Sequence, residues 1–296
     1  MQTYETLTYI NERGEQAVFG IGSHYHVNVQ KDVDGLADLT STIYSTSSMG
    51  QNGSTYQGYR IEPREIEIEG KMYGADKGEQ YRLRRELLKI LNPELSGTLY
   101  YQYGDFIRKI WAKVKGSPTF SHPDLYERFV VRFECLDPFW HDEADRRSAV
   151  AQWIGAWEFP TEIELNNPDD MIFGYREDSV IVHVQNDGDT TCGMKIIFTA
   201  DGVVEDPELY NTQTGEYMRI LTTMQAGDVI TVDTRYGSKT ITLTRDGSDT
   251  NLYQAMDVNS TFMQLGIGDN VFRYNAASGL SNLEAMALYS QNYLGV

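Results

Sequence analysis

The chain has 296 residues, 41% of them apolar and with 20 Tyr, 11 Phe and 4 Trp, and it carries a net charge of −18. That is apolar material enough for one large domain or two ordinary ones. The acid excess excludes a protein built to grip phosphate, because nucleic-acid binders present basic patches, and no apolar run reaches the 18 residues of a membrane span.

In chain order, "TLTYIN" and "EQAVFG" flank "ERG" and predict a hairpin. "SHYHVNVQ" alternates as a strand does. Residues 40–58, "TSTIYSTSSMGQNGSTYQG", are nearly all small or polar and lack apolar periodicity, so they read as a long loop or extension, a kind of segment that is usually functional or mobile. "REIEIEGKMYG" alternates through Ile66 and Ile68. One helix is predicted over Lys77–Asn92. Asp76 caps it, Glu79 completes a capping box, and Leu83, Leu87, Ile90 and Leu91 form its apolar stripe. Asn92-Pro93 ends it. A second hairpin turns at Gly104-Asp105. In "FVVRFECLDPFW", Phe129, Val131, Phe133 and Cys135 share one face of a strand, while Arg128, Arg132 and Glu134 share the other. Pro138 cannot continue a central ladder, so a first domain is expected over 1–140. Residues 141–160 do not alternate and read as a connector. From 161 to 296, short apolar runs broken by Asn-Asp-Gly, Ala-Asp-Gly, Ala-Gly-Asp and Arg-Asp-Gly predict an antiparallel sandwich.

Residues 1–150 hold 18 Lys and Arg against 22 Asp and Glu, a net −4, whereas 151–296 hold 7 against 21, a net −14. Two domains with different surfaces account for this asymmetry. The N-terminus lacks a basic and apolar leader, so no secretory signal is expected. Cys135 and Cys192 stand far apart and in no metal spacing. They are expected to be buried, free and unreactive, as in a reducing cytosol.

Motifs for chemistry are scarce. "GIGSH" lacks the third glycine of a dinucleotide site. His24 and His26 could share a strand face but have no third ligand nearby and read as a surface or ladder pair. "DVDGLAD" at 32–38 lacks the glutamate of a calcium loop and reads as a turn. The aromatics of "VFRYN" could stack on sugars but are expected in the core. No catalytic residue, metal site or cofactor site is assigned.

"GYRIEPREIEIEG", then a single helix, a hairpin and "VRFECLDPFW", resembles the N-terminal half of the distal tail protein of long-tailed, non-contractile phages. The second half is similar to that family's C-terminal domain. Asn186, Gly188 and Asp189 of "NDGDTTCGMKIIF" match its first turn, "YNTQTGEYMRI" its central hairpin, and "AGDVITVDTRYGSKTI" its Gly-Asp, Ile, Asp-Thr segment. "LGIGDNVFRYN" matches its Pro-Gly-x-Asn motif and "YLG" at 293–295 its end. Ile267 and Phe262 stand where the family often has Pro and Trp.

The resemblance implies a mainly β protein with one α-helix. An N-terminal β-sandwich carries the helix and a β-hairpin, and the C-terminal antiparallel sandwich is galectin-like or carbohydrate-module-like. It implies a homohexameric ring at the distal end of the virion's tail, made in the host cytoplasm. That ring joins the tail tube protein to the tail-tip hub or tail-associated protein, holds adhesion or receptor-binding proteins, and lets DNA pass without specific nucleic-acid binding or membrane insertion. No enzyme activity is implied. Tyr44, Met49, Gln51, Tyr56, Arg60 and Arg64 are expected at the subunit interface, and Asp137, Pro138, Phe139 and Trp140 at the domain boundary. Arg64 is expected to pair with Glu65, and Arg82, Arg84 and Arg85 with Glu79 and Glu86. The alternative is an adhesin that binds host-wall saccharide through its second domain.

Overall fold

The computed structural model describes residues 4–121, 126–149, 153–155, 174–176 and 181–296. The chain forms two compact units. Met1–Glu143 with Asn292–Val296 make the first, and Ala144–Gln291 the second. Among the described residues no helix is long and apolar enough to cross a membrane.

The first unit is built on one long sheet. From one edge its strands run Thr119–Ser121, Glu127–Cys135, Arg64–Met72, Tyr25–His26, Gln16–Gly20, Thr6–Asn11, Ser96–Tyr103, Phe106–Val114, Trp140–Asp142 and Asn292–Tyr293. Phe133 and Glu134 also pair with Val114 and Lys113, so the sheet closes on itself. The expected N-terminal β-sandwich takes the form of one sheet closed on itself, barrel-like, with Thr119–Ser121 and Asn292–Tyr293 left at its edges. Alternation does the rest. In Glu127–Cys135 the residues Phe129, Val131, Phe133 and Cys135 are buried, and in Arg64–Met72 so are Ile66, Ile68 and Met72. They pack with Leu7, Tyr9, Phe19, Leu99 and Ile110 in a single core.

The helix spans Lys77–Ile90. Asp76 Oδ1 accepts from the Glu79 amide at 2.7 Å, and Glu79 Oε2 accepts from Ala75 N at 2.6 Å. Leu83, Leu87 and Ile90 lie on its buried face. "SHYHVNVQ" yields strand only at Tyr25–His26 and then one helical turn, Val29–Asp32. The alternation is nonetheless real, because Tyr25, Val27 and Val29 are all buried. It reports burial, which a turn can satisfy as well as a ladder.

Among the described residues the second unit has two main antiparallel sheets, besides the short pairs Trp153–Gly155 with Gly174–Arg176 and Val204–Glu205 with Thr223–Met224. One holds Arg146–Ala149, Leu283–Tyr289, Met194–Ala200, Val229–Asp233, Thr240–Arg245 and Ser248–Asn251 in that order. The other holds Ile181–Asn186, Gly268–Asn275, Glu208–Asn211 and Tyr217–Arg219. Met194, Ile196, Phe198, Ile230, Leu209, Phe272 and Tyr274 belong to its core. Residues 146–149, expected within a connector, are an edge strand here and pair with Met286–Tyr289. The first residues of that connector, His141 and Asp142, belong to the first unit's strand Trp140–Asp142, 153–155 form a short strand, and 150–152 and 156–160 lie outside the described residues. Two buried asparagines pin the turns. Asn186 Oδ1 accepts from Gly188 N at 3.0 Å. Asn270, the asparagine of "LGIGDN", donates to the oxygens of Val184, Gly266 and Gly268 while accepting from Gly266 N at 2.8 Å. Buried amides with every group paired specify one loop conformation.

Candidate functional site

Residues 40–58 do not form a loop. Ser41–Thr46 and Thr55–Ile61 pair as a hairpin that is bonded to no other strand among the described residues. Its residues are exposed except Gly58 and Ile61, which are half-buried. Gln57 is the extra residue of a bulge between Tyr44↔Gly58 and Ser45↔Tyr56. The tip is shaped by Gln51, whose side chain accepts from Ser48 N at 3.1 Å and donates to Thr55 Oγ1 at 3.1 Å. Tyr44, Tyr59 and Ile43 are 50%, 64% and 66% exposed, and Met49 and Tyr56 also face water. Arg60 stands 3.7 Å from Glu62. A lone hairpin is marginally stable in water, and this one spends apolar side chains on solvent. Five of the six expected interface residues thus share one projecting element.

Arg64 does not. It is 2% exposed, and its guanidinium bonds main-chain oxygens from three distant segments. Nη1 donates to Gly35 O at 2.7 Å and Leu36 O at 2.8 Å, Nε to Pro138 O at 2.8 Å, and Nη2 to Leu294 O. Its expected partner Glu65 pairs with Lys115 instead. The correction has a plain cause. Arg64 follows the period-2 rule of its strand and points inward, opposite Cys135, while Glu65 points out. Of the other arginines read as ion-paired, Arg84 meets Glu127 at 3.4 Å, and none of the three pairs with Glu79 or Glu86 among the described residues. Burial holds the Arg64 pKa below the ordinary range, and it pushes the Cys135 thiol up to about 12, against the opposing pull of the Arg64 charge. Cys192 is buried too, and neither cysteine is in a disulfide.

The segment "DVDGLAD" serves this clamp. Gly35 has φ 89°, and a Cβ there would stand 2.0 Å from Glu65 O, so only glycine fits. The four boundary residues close the same region from the other side. Asp137 holds Phe139 N at 3.3 Å and His141 Nε2 at 3.1 Å, Pro138 gives its oxygen to Arg64, and buried Trp140 donates from Nε1 to Leu36 O at 3.0 Å. The chain passes into the second unit at Ala144. It returns at Asn292, where Tyr293 lies under the Arg108 guanidinium, 4.0 Å from ring centroid to charge. Sequence reasoning did not foresee this return. The only hint was "YLG", whose glycine packs on Ala37.

Among the described residues no group of His, Cys, Asp and Glu could hold a metal ion. His24 is exposed, and the His26 ring lies 6.0 Å from that of Tyr73. Phe272 and Tyr274 of "VFRYN" are buried and offer no platform to a sugar. One groove, of about 260 Å³, is an open depression beside Tyr100 and Trp111.

Two family profiles match the chain. The phage tail protein RIFT-related domain matches residues 21–135, and the siphovirus-type tail component C-terminal domain matches residues 187–291. No curated protein matches. Among solved structures, the Dit protein of phage SPP1 aligns at TM-score 0.67 and 11% identity over 97% of this chain and 98% of its own. A chain of the phage p2 baseplate in its activated conformation with strontium aligns at 0.57 and 14% identity over 99% of both chains. The calcium form aligns at 0.56 and 14% identity over 100% of both. These likenesses are of fold. With one profile seated in each unit, the chain belongs to the siphovirus-type tail components, the distal tail proteins of long-tailed phages, and is a structural protein of the virion's distal tail.

Proposed function

We propose that this chain is the hub at the distal end of the tail. It forms a homohexameric ring that joins the tail tube protein to the tail-tip protein and leaves a channel for DNA. The first unit builds the ring, and the second carries adhesion or receptor-binding proteins. No catalytic role is assigned. The hairpin Ser41–Ile61 carries this reading. It exposes Ile43, Tyr44, Met49, Tyr56 and Tyr59 without packing them on its own domain, and a neighbouring subunit would cover them. Obligate interfaces bury about 2,000 Å² or more, and a projecting hairpin supplies area at small cost to its own core. The SPP1 relative is described as a paradigm of the hub adsorption apparatus in phages infecting Gram-positive hosts, which supports the reading.

Deletion of residues 42–56 tests it. Light scattering and negative-stain images should show rings for the parent and folded single chains for the variant. Rings that persist after the deletion would refute assembly through the hairpin.

A further inference from the structure

One row of the first unit breaks the charge pattern of its sheet. Register places His26 beside Lys71, Lys71 beside Arg128, and Arg128 beside Ser121, across four strands. Elsewhere the same sheet sets cations against carboxylates. Arg132 faces Glu67 and bonds it at 2.6 Å, and Lys113 faces Glu134. Glu65 and Glu134 also face one another, but Lys115 pairs with Glu65 beside them. The basic row has no such relief. Neither Lys71 nor Arg128 forms an ion pair among the described residues, although Glu69 is two positions from Lys71 on the same strand face. Like charges directly opposite across strands destabilise a sheet.

What lies beneath the row is aromatic. Lys71 Nζ sits 5.4 Å and the Arg128 guanidinium 5.6 Å from the Tyr126 ring centroid, and Arg128 Nη2 donates to Tyr126 Oη at 3.1 Å. The Tyr73 ring is 5.9 Å from that of Tyr126, and Tyr73 is half exposed. A ring face steadies a cation but cancels none of its charge. The result is a patch of Tyr, Arg and His whose Lys71 and Arg128 have no ion-pair partner among the described residues, in a chain of net −18.

We propose that this row is a docking site for an acidic surface of another protein. Carboxylates would meet Lys71 and Arg128, with Tyr73 and Tyr126 as the apolar floor. Interfaces concentrate Tyr and Arg at their centres, and carboxylates placed here would remove the like-charge opposition that the free sheet carries. A nucleic acid fits less well. Duplex DNA brings one charge per about 1.7 Å and meets the acid excess of the whole chain, whereas an acidic loop meets only the row, the rest being screened beyond about 8 Å at physiological salt.

The test uses the full chain and a fluorescent octaglutamate peptide, followed by anisotropy at low and physiological salt. The double variant Lys71→Gln with Arg128→Gln should weaken peptide binding about tenfold or more. Lys113→Gln, which removes a cation that faces a carboxylate, should leave it unchanged. The double variant should also melt no lower than the parent, because it relieves repulsion. The proposal is overturned if the peptide does not bind at low salt or if Lys113→Gln weakens it equally. It is also overturned if a short duplex binds the row more tightly than the peptide. Loss of self-association in the double variant would make the occupant a second copy and overturn it as well.

Discussion

The Arg64 guanidinium donates to the main-chain oxygen of Leu294, 230 positions further along the chain. Through the same group the 35–36 turn, the Pro138 element and the chain's last residues are held together without a carboxylate among the bonded partners. A charged donor bonded to several carbonyls contributes more than a neutral one, and removing it leaves each buried oxygen unpaired. Arg64→Ala should therefore cost about 3 kcal/mol or more, and truncation after Asn292 about 2 kcal/mol. Both losses should fall on the unfolding transition of the first unit in urea. Equal losses in the second unit's transition would contradict a clamp confined to the first.

Tyr9 gives a gain instead. Its ring packs 5.0 Å from that of Phe133 in the core, and its hydroxyl has no hydrogen-bond partner among the described residues. Burial pushes its pKa up to about 12. Tyr9→Phe removes an unsatisfied donor at nearly constant shape, so stability should rise by about 1 kcal/mol. Chemical denaturation of the two proteins side by side decides the sign.

Asp228 and Arg245 make the second unit sensitive to acid. The carboxylate is buried, accepts from Arg245 Nε at 2.8 Å and from Gln225 N at 2.7 Å, and its pKa is held below the ordinary range, first by the Arg245 bond. A depressed folded value stabilises the protein above the unfolded pKa of about 3.9 and is lost as pH falls through the lower, folded one. Asp228→Asn should cost about 1–2 kcal/mol near neutrality and flatten the dependence of the second unit's stability below about pH 4. Thermal melts across that window would reveal the change of slope.

Cys135 should be inert. With its pKa near 12, the reactive thiolate amounts to roughly one molecule in ten thousand at pH 8, and the residue is fully buried. Native protein should react with a disulfide reagent only as fast as it unfolds. Cys135→Ser should cost about 1–3 kcal/mol by burying a hydroxyl while leaving assembly intact.

The strands Arg64–Met72 and Glu127–Cys135 were legible because burial on one face forces period 2, and the helix because its cap and stripe are local signals. What stayed hidden has one of two causes. The hairpin Ser41–Ile61 has no buried face, so Thr, Ser and Tyr in its strands left no hydrophobic pattern to read. The clamp, the closure of the sheet through Phe133 and Val114, and the return of Asn292–Tyr293 are long-range pairings, which composition and periodicity do not encode. Arg64 was misplaced because an arginine beside a glutamate reads as a surface ion pair, although its own strand period had already turned it inward.

The strands Trp140–Asp142 and Asn292–Tyr293 are hydrogen-bonded neighbours, with His141 opposite Asn292. The path to Ala144 and the path back from Gln291 therefore start from adjacent points, about 5 Å apart. In topological terms everything between them is one very long hairpin loop of the first unit. A cassette with its two ends side by side can be cut out, enlarged or exchanged by recombination while the host sheet keeps every ladder it has. A lineage of tails could in this way change what its second unit carries and leave the first unit's pairing untouched.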